Sequence, residues 1–174
     1  MRSLPACPSF AVIESSIGRV AKRLHGAPVQ DLVIMRLIKH LSAQFSVHFS
    51  PIVRPLGLNE VSFRTLMMLY ANQSGVHASL LSEATGETRT NITRICDELA
   101  HKGLLLRHPG VEDRRRVVLE LTRKGVALIE RLLPKVWSEL ERGLRTLSTS
   151  EKRDLERLLK KLATAFDAFE IKDR

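Results

Sequence analysis

Two short stretches of this chain carry side chains suited to one kind of chemistry. Residues 88–94 read Thr-Arg-Thr-Asn-Ile-Thr-Arg, and residues 113–116 read Asp-Arg-Arg-Arg. Arginine can grip guanine O6 and N7 with two parallel donors, asparagine can pair with adenine, and a threonine methyl can meet the thymine methyl. An arginine carried on a loop suits the narrow minor groove of A·T-rich DNA. Thr88, Arg89, Thr90, Asn91, Thr93 and Arg94 are therefore candidate base and backbone readers. Asp113, Arg114, Arg115 and Arg116 form a second candidate group, in which the acid can brace one arginine and leave another free. Ser82 and Arg107 are candidate phosphate contacts. The competing reading of residues 88–94 is a solvated helix face laced by i,i+4 pairs such as Arg94 with Glu98.

These residues need elements to position them. Ile92, Ile95, Cys96 and Leu99 recur at i, i+3, i+4 and i+7, which predicts one buried face of a helix. Thr90, Arg94 and Asp97 then point the other way. A shorter helix over about 78–84 precedes it, and "TGETRT" at 85–90 supplies a tight turn containing Gly86. Two short helices joined in this way have the outline of a helix-turn-helix. Residues 104–108 and 117–121 read as two strands flanking the arginine run, so a β-hairpin wing follows directly.

Longer helices flank this unit. An amphipathic helix is predicted over 10–24, with Phe10, Ile13, Ile17, Val20 and Leu24 at helical spacing. A long helix over 29–54 carries Leu32, Met35, Leu41, Phe45 and Phe49. Asn59 is expected to cap the next helix, whose buried face reads Val61, Phe63, Leu66, Met67, Leu69 and Tyr70. A helix from 122 to about 145 contains Pro134, and a final helix over 150–169 is expected to be capped by Thr149 or Ser150. The domain reading is an N-terminal extension (1–29), a dimerisation helix (30–56), a winged helix-turn-helix lobe (57–121) and C-terminal dimerisation helices (122–174). The fold class is mainly α. The long helices have more apolar face than a small winged lobe can cover, so a second copy of the chain is the expected partner.

Composition agrees with that partner set. The 174 residues carry a net charge of +9, which favours an acidic partner. The two cysteines, Cys7 and Cys96, make neither a disulfide framework nor a metal cluster. No stretch approaches the ~18–20 apolar residues of a membrane span, so a soluble, cytoplasmic protein without membrane contact is expected.

The run "NITRICDELAHKGLLLRHPGVEDRRRVVLELTRKG" at 91–125 closely resembles the signature of the MarR (multiple antibiotic resistance regulator) family. The matching positions are Thr93, Arg94, Asp97, Leu99, Lys102-Gly103-Leu104, Arg107, Asp113-Arg114-Arg115, Leu121-Thr122 and Gly125. The likeness extends over about residues 30–170. It implies a homodimeric winged helix-turn-helix regulator of palindromic double-stranded DNA, usually a repressor, often released by small aromatic or phenolic ligands. It also implies that Arg115 reads the minor groove while Arg114 braces the loop. Ser62 departs from the family's usual Gln, and Leu106 from a polar residue.

The resemblance places a ligand pocket between the dimer helices and the DNA-binding lobe. There Arg36, His40, Gln44 and His48 could supply polar groups, with Phe45, Phe49 and Met67 as walls, which suits a small aromatic acid effector. No catalytic set, metal site or cofactor is indicated, so the chain reads as a regulator and not as an enzyme. Two rival readings are a cysteine-based redox-sensing repressor and an architectural DNA binder without a ligand.

Overall fold

The computed structural model describes residues 8–72, 74–109 and 117–168. The chain runs α1 (Pro8–Arg23), α2 (Val29–Val53), α3 (Glu60–Ala71), β1 (Val76–His77), α4 (Ala78–Thr85), α5 (Arg89–His101), β2 (Leu105–Pro109), β3 (Val117–Leu121), α6 (Arg123–Leu144) and α7 (Thr149–Asp167). It forms two compact units, Met1–Leu132 and Leu133–Arg174, with the division inside α6.

In the first unit, α2 ends in a 3-10 turn over Arg54–Leu56, closed by Gly57 at φ 63°. That left-handed conformation suits glycine. Asn59 then caps α3, its side chain accepting the Ser62 N–H at 2.8 Å. The buried face of α3 differs from the expected one. Val61, Met67 and Tyr70 are only half-buried, while Ser62 and Thr65 join Phe63, Leu66 and Leu69 inside. Ser62 can be buried because its hydroxyl also reaches Asn59 Oδ1, at 3.0 Å.

The wing's sheet has three strands rather than two, in the order β1-β3-β2, all antiparallel. Val76 pairs with Leu119 and His77 with Val118. A two-residue strand has no periodicity to announce it. Gly75 admits it, because a Cβ there would collide with Val118 and Glu120. Within the hairpin Leu105 faces Leu121, Arg107 faces Leu119 and Pro109 faces Val117. The first hairpin strand begins and ends one residue later than the sequence suggests.

Thr122 opens α6 as expected. Its hydroxyl accepts the Gly125 N–H at 3.0 Å and donates to the Gly103 carbonyl at 2.7 Å. Gly125 lets α6 lie close to the backbone just before β2, since a Cβ would run into the Leu104 carbonyl. Pro134 lies inside α6, which continues past it to Leu144.

In the second unit, the cap of α7 is Ser148, not Thr149 or Ser150. Ser148 Oγ accepts the Glu151 N–H at 3.3 Å and the Glu151 carboxylate accepts the Ser148 N–H at 2.8 Å. This reciprocal box needs an acid three residues on, and only Ser148 has one. The Ser148 hydroxyl also donates to the Glu151 carboxylate at 2.7 Å, and this bond, followed by that from the Ser148 N–H, holds the Glu151 carboxyl below its ordinary pKa.

The outer helices bury less than their stripes suggest. In α1, Phe10 and Ile17 are buried, with the Phe10 ring 5.7 Å from His40, but Val20, and Leu24 just beyond the helix, are exposed. In α2 only Phe49 and Val53 are buried, while Leu32, Met35, Leu41 and Phe45 are exposed. No residue of α7 is buried. These faces satisfy the apolar rule only if something covers them.

Candidate nucleic-acid interface

The interface begins with a turn. Gly86 closes α4 in the left-handed conformation (φ 70°, ψ 15°). Ser82 Oγ donates to the Glu87 carbonyl at 2.6 Å, tying α4 to the segment that leads into α5. Thr88 caps α5, its hydroxyl accepting the Asn91 N–H at 3.2 Å. Ser82, a candidate phosphate contact, and Thr88, a candidate base and backbone reader, thus already shape the turn in the free chain.

Helix α5 faces inward with Ile92, Ile95, Cys96 and Leu99, all buried, as the spacing predicts. Leu66 and Leu69 of α3 and Leu81 of α4 belong to the same buried set. With that side fixed, Arg89, Thr90, Thr93 and Arg94 are exposed and Asn91 is half-buried. Arg89 and Thr90 have no side-chain hydrogen bond or ion pair among the described residues. Thr93 Oγ1 donates back to the Arg89 carbonyl at 2.9 Å, which satisfies its donor.

A chain of polar contacts runs along the helix. Arg94 pairs with Glu98 and also donates to Asn91 Oδ1 at 2.9 Å. Asn91 Nδ2 donates to Glu87 at 2.7 Å. The other Glu87 oxygen lies 3.6 Å from Arg64 of α3, whose guanidinium also donates to the Thr85 carbonyl at 3.2 Å. The i,i+4 pair of Arg94 with Glu98 is therefore real in the free chain, and it does not remove Arg94 from the surface. It holds the guanidinium out along the exposed face. Glu87 and Asn91, four apart, could have been paired from the sequence. Arg64 could not, because only the packing of α3 brings it close.

Arg107, a candidate phosphate ligand, lies 2.7 Å from Asp97 and links β2 to α5. Beside that pair, burial pushes the Cys96 thiol up to about 11, with Arg107 pulling it down and Asp97 adding to the rise. The wing candidates Asp113, Arg114, Arg115 and Arg116 lie outside the described residues, as does Cys7.

The effector candidates divide into two groups. Arg36 lines an apolar groove with Ile13, Ile17, Val20 and Leu32, between α1 and α2, and His40 lies against Phe10. Phe45 stacks on Phe49 at 5.5 Å, and Phe49 meets Phe63 edge-on at 5.0 Å. Gln44 and His48 are exposed, and Met67 is half-buried. Among the described residues, no group of three or more His, Cys, Asp or Glu could hold a metal ion, and no helix is long and apolar enough to cross a membrane.

Comparison with known proteins places this geometry. The MarR family profile matches residues 58–117, the span from the approach to α3 through the start of β3. The transcriptional repressor MprA of Escherichia coli K12 is 34% identical over 163 residues, covering 93% of each chain. Among solved structures, a mutant Escherichia coli MarR complexed with operator DNA superposes with a TM-score of 0.67 at 27% identity, over 74% of this chain and 92% of that one. CouR of Rhodococcus jostii RHA1, bound to p-coumaroyl-CoA, superposes with a TM-score of 0.70 at 21% identity, over 75% and 91% of the two chains.

Proposed function

The chain belongs to the MarR family, and from that premise we propose a homodimeric repressor that binds a palindromic operator and is released by a small aromatic or phenolic acid. One observation carries the DNA reading. The capped N-terminal turns of α5 expose Arg89, Thr90, Thr93 and Arg94 together, opposite a buried face of Ile92, Ile95, Cys96 and Leu99. A recognition helix uses its N-terminal residues in the major groove. Its free N–H groups and positive dipole end also favour phosphate.

In this reading Arg94 and Arg89 read bases or backbone, and Asn91 positions Arg94 before contact. Ser82 and Thr88 keep the turn in shape. Asp113 and Arg114 brace the wing, Arg115 enters the minor groove, and Arg116 lies near phosphate. The exposed apolar faces of α2 and α7 supply the homodimer's contacts. The aromatic effector is supported by the p-coumaroyl-CoA complex of CouR. A redox switch at Cys96 is disfavoured, because the thiol is buried and pushed up to about 11.

The test is a footprint on the DNA upstream of the protein's own coding sequence, with and without aromatic acids. The expected pattern is two protected half-sites about one helical turn apart, lost on adding the acid. Broad, sequence-indifferent protection that no acid changes would instead identify an architectural binder.

A further inference from the structure

Arg64 of α3 stands where stability alone gives little reason for it. Its guanidinium donates to the Thr85 carbonyl at 3.2 Å and lies 3.6 Å from Glu87, too far for a hydrogen bond. The two side chains of that pair are 43% and 26% exposed, and an open pair of that length contributes little to stability. Arg64 Nε is buried and has no hydrogen-bond partner among the described residues. A buried donor left unmade costs stability. Such a group points to a role other than folding.

The contacts in front of Arg64 supply that role. Glu87 is held twice, through its carboxylate by Arg64 and through its carbonyl by Ser82, whose hydroxyl donates to it at 2.6 Å. The other carboxylate oxygen accepts Asn91 Nδ2 at 2.7 Å, and Asn91 Oδ1 accepts Arg94 Nη2 at 2.9 Å. The order of these contacts is forced. A carboxylate only accepts and a guanidinium only donates, so the Asn91 amide can bridge them in one orientation. Arg94 Nη2 carries two hydrogens. One stays on Asn91 while the other, with Nη1 once Glu98 has left it, meets guanine O6 and N7.

We propose that Arg64 and Glu87 are positioning residues for sequence readout. They act through Asn91 to hold Arg94 in the orientation that reads a base pair, and they need no DNA contact of their own. The proposal rests on the reading of α5 as the recognition helix and extends the reading apparatus back to α3. A loose arginine must be ordered when it meets a base, and that ordering costs affinity. Here the fold orders Arg94 before DNA arrives. The gain appears only at the base pair that Arg94 reads, because phosphate contacts carry no sequence information. Discrimination between operators therefore depends on Arg64 and Glu87, while general affinity for DNA does not.

The test binds the full chain to randomised DNA duplexes, recovers the preferred sequence, and measures it beside its single base-pair variants by anisotropy. The parent is compared with Arg94→Ala, Arg64→Met, Glu87→Gln, and Arg64→Met combined with Arg94→Ala. Methionine fills the space of Arg64 without its charge, and glutamine puts a donor where Glu87 must accept from two sides. Arg94→Ala is expected to flatten the preference at one base pair of each half-site. Arg64→Met and Glu87→Gln should lower the preference at that same pair roughly two- to tenfold, the scale of ordering one long side chain, and leave the other pairs alone. Affinity for a scrambled duplex, its salt slope and the melting temperature should match the parent's. With Arg94 absent, Arg64→Met should change nothing further, since residues in one chain of contacts are not additive. Parent-like preferences in both Arg64→Met and Glu87→Gln would overturn the proposal and leave α5 as the reader. An equal loss on every duplex would overturn it too. With a salt slope shallower by about 0.9 per phosphate lost, that result makes Arg64 a phosphate ligand. With a lowered melting temperature it makes Arg64 a structural residue only. An Arg94→Ala chain that keeps the parent's preferences, or a parent that prefers no sequence, would overturn the recognition-helix reading itself.

Discussion

Arg94 has two partners on its own helix before any DNA arrives. Its contacts to Glu98 and Asn91 are exposed, and exposed helix pairs of this kind are worth only ~0.3–0.5 kcal/mol. Guanine can displace Glu98 at little cost. Arg94→Ala should therefore weaken operator binding by ~1–3 kcal/mol with a small change in melting temperature. Glu98→Ala should leave operator affinity equal or improved, because it releases the guanidinium. Anisotropy at fixed salt beside a thermal melt separates the two effects. Unchanged operator affinity in Arg94→Ala would remove α5 from the interface.

Cys96 behaves oppositely to a sensor. Burial raises its thiol from 9.0 to about 11. A raised folded-state value means that folding favours the protonated thiol. That contribution to stability is fully present below about pH 9 and fades as pH rises toward about 11. At pH 8 the native protein should alkylate with iodoacetamide about a hundredfold more slowly than the urea-unfolded chain, in line with two pKa units. Equal rates would mean that the α5 core opens readily.

At the scale of elements, the sequence is informative wherever a period is long enough to repeat. The inward stripe of α5, the strand at 117–121 and the capping asparagine at 59 are all found where their spacing predicts. The two-residue β1 has no period, and the partners that define it, Leu119 and Val118, lie some forty residues downstream. Apolarity alone does not give the α3 face, because Ser62 is buried with its hydroxyl satisfied by the cap. The Arg94–Glu98 pair was legible as an i,i+4 spacing, but Arg64's reach to Glu87 and the Lys102–Gly57 bond join residues far apart in sequence.

Close approach between elements gives a paired prediction. A Cβ on Gly125 would overlap the Leu104 carbonyl, while Gly18, inside α1, has open space around it. Gly125→Ala should destabilise by at least ~1–3 kcal/mol, the usual range for overpacking. Gly18→Ala should stabilise by ~0.4–1 kcal/mol, because alanine restricts the unfolded chain without a clash. Denaturant melts of the two variants give opposite signs if Gly125 sits against the Leu104 carbonyl as described.

For the molecule as a whole, the outstanding quantity is apolar surface left in water. Leu158 is 53% and Leu159 45% exposed, and no residue of α7 is fully buried in the single chain. A leucine with no core neighbours can be replaced without unfolding the chain that carries it, so Leu158 isolates assembly from folding. Leu158→Glu should keep the helical content of the parent while sedimentation equilibrium shows the dimer dissociating at concentrations where the parent remains paired. Operator affinity should fall with it, since a monomer engages one half-site and loses the second set of phosphate contacts. The salt dependence reports the same loss independently. Each neutralised phosphate contributes about −0.9 to the slope of log affinity against log salt, so the slope of Leu158→Glu should be shallower than the parent's. A Leu158→Glu chain that stays dimeric, with an unchanged slope, would place the dimer contacts off this face of α7 and leave its leucines to be explained by a different partner.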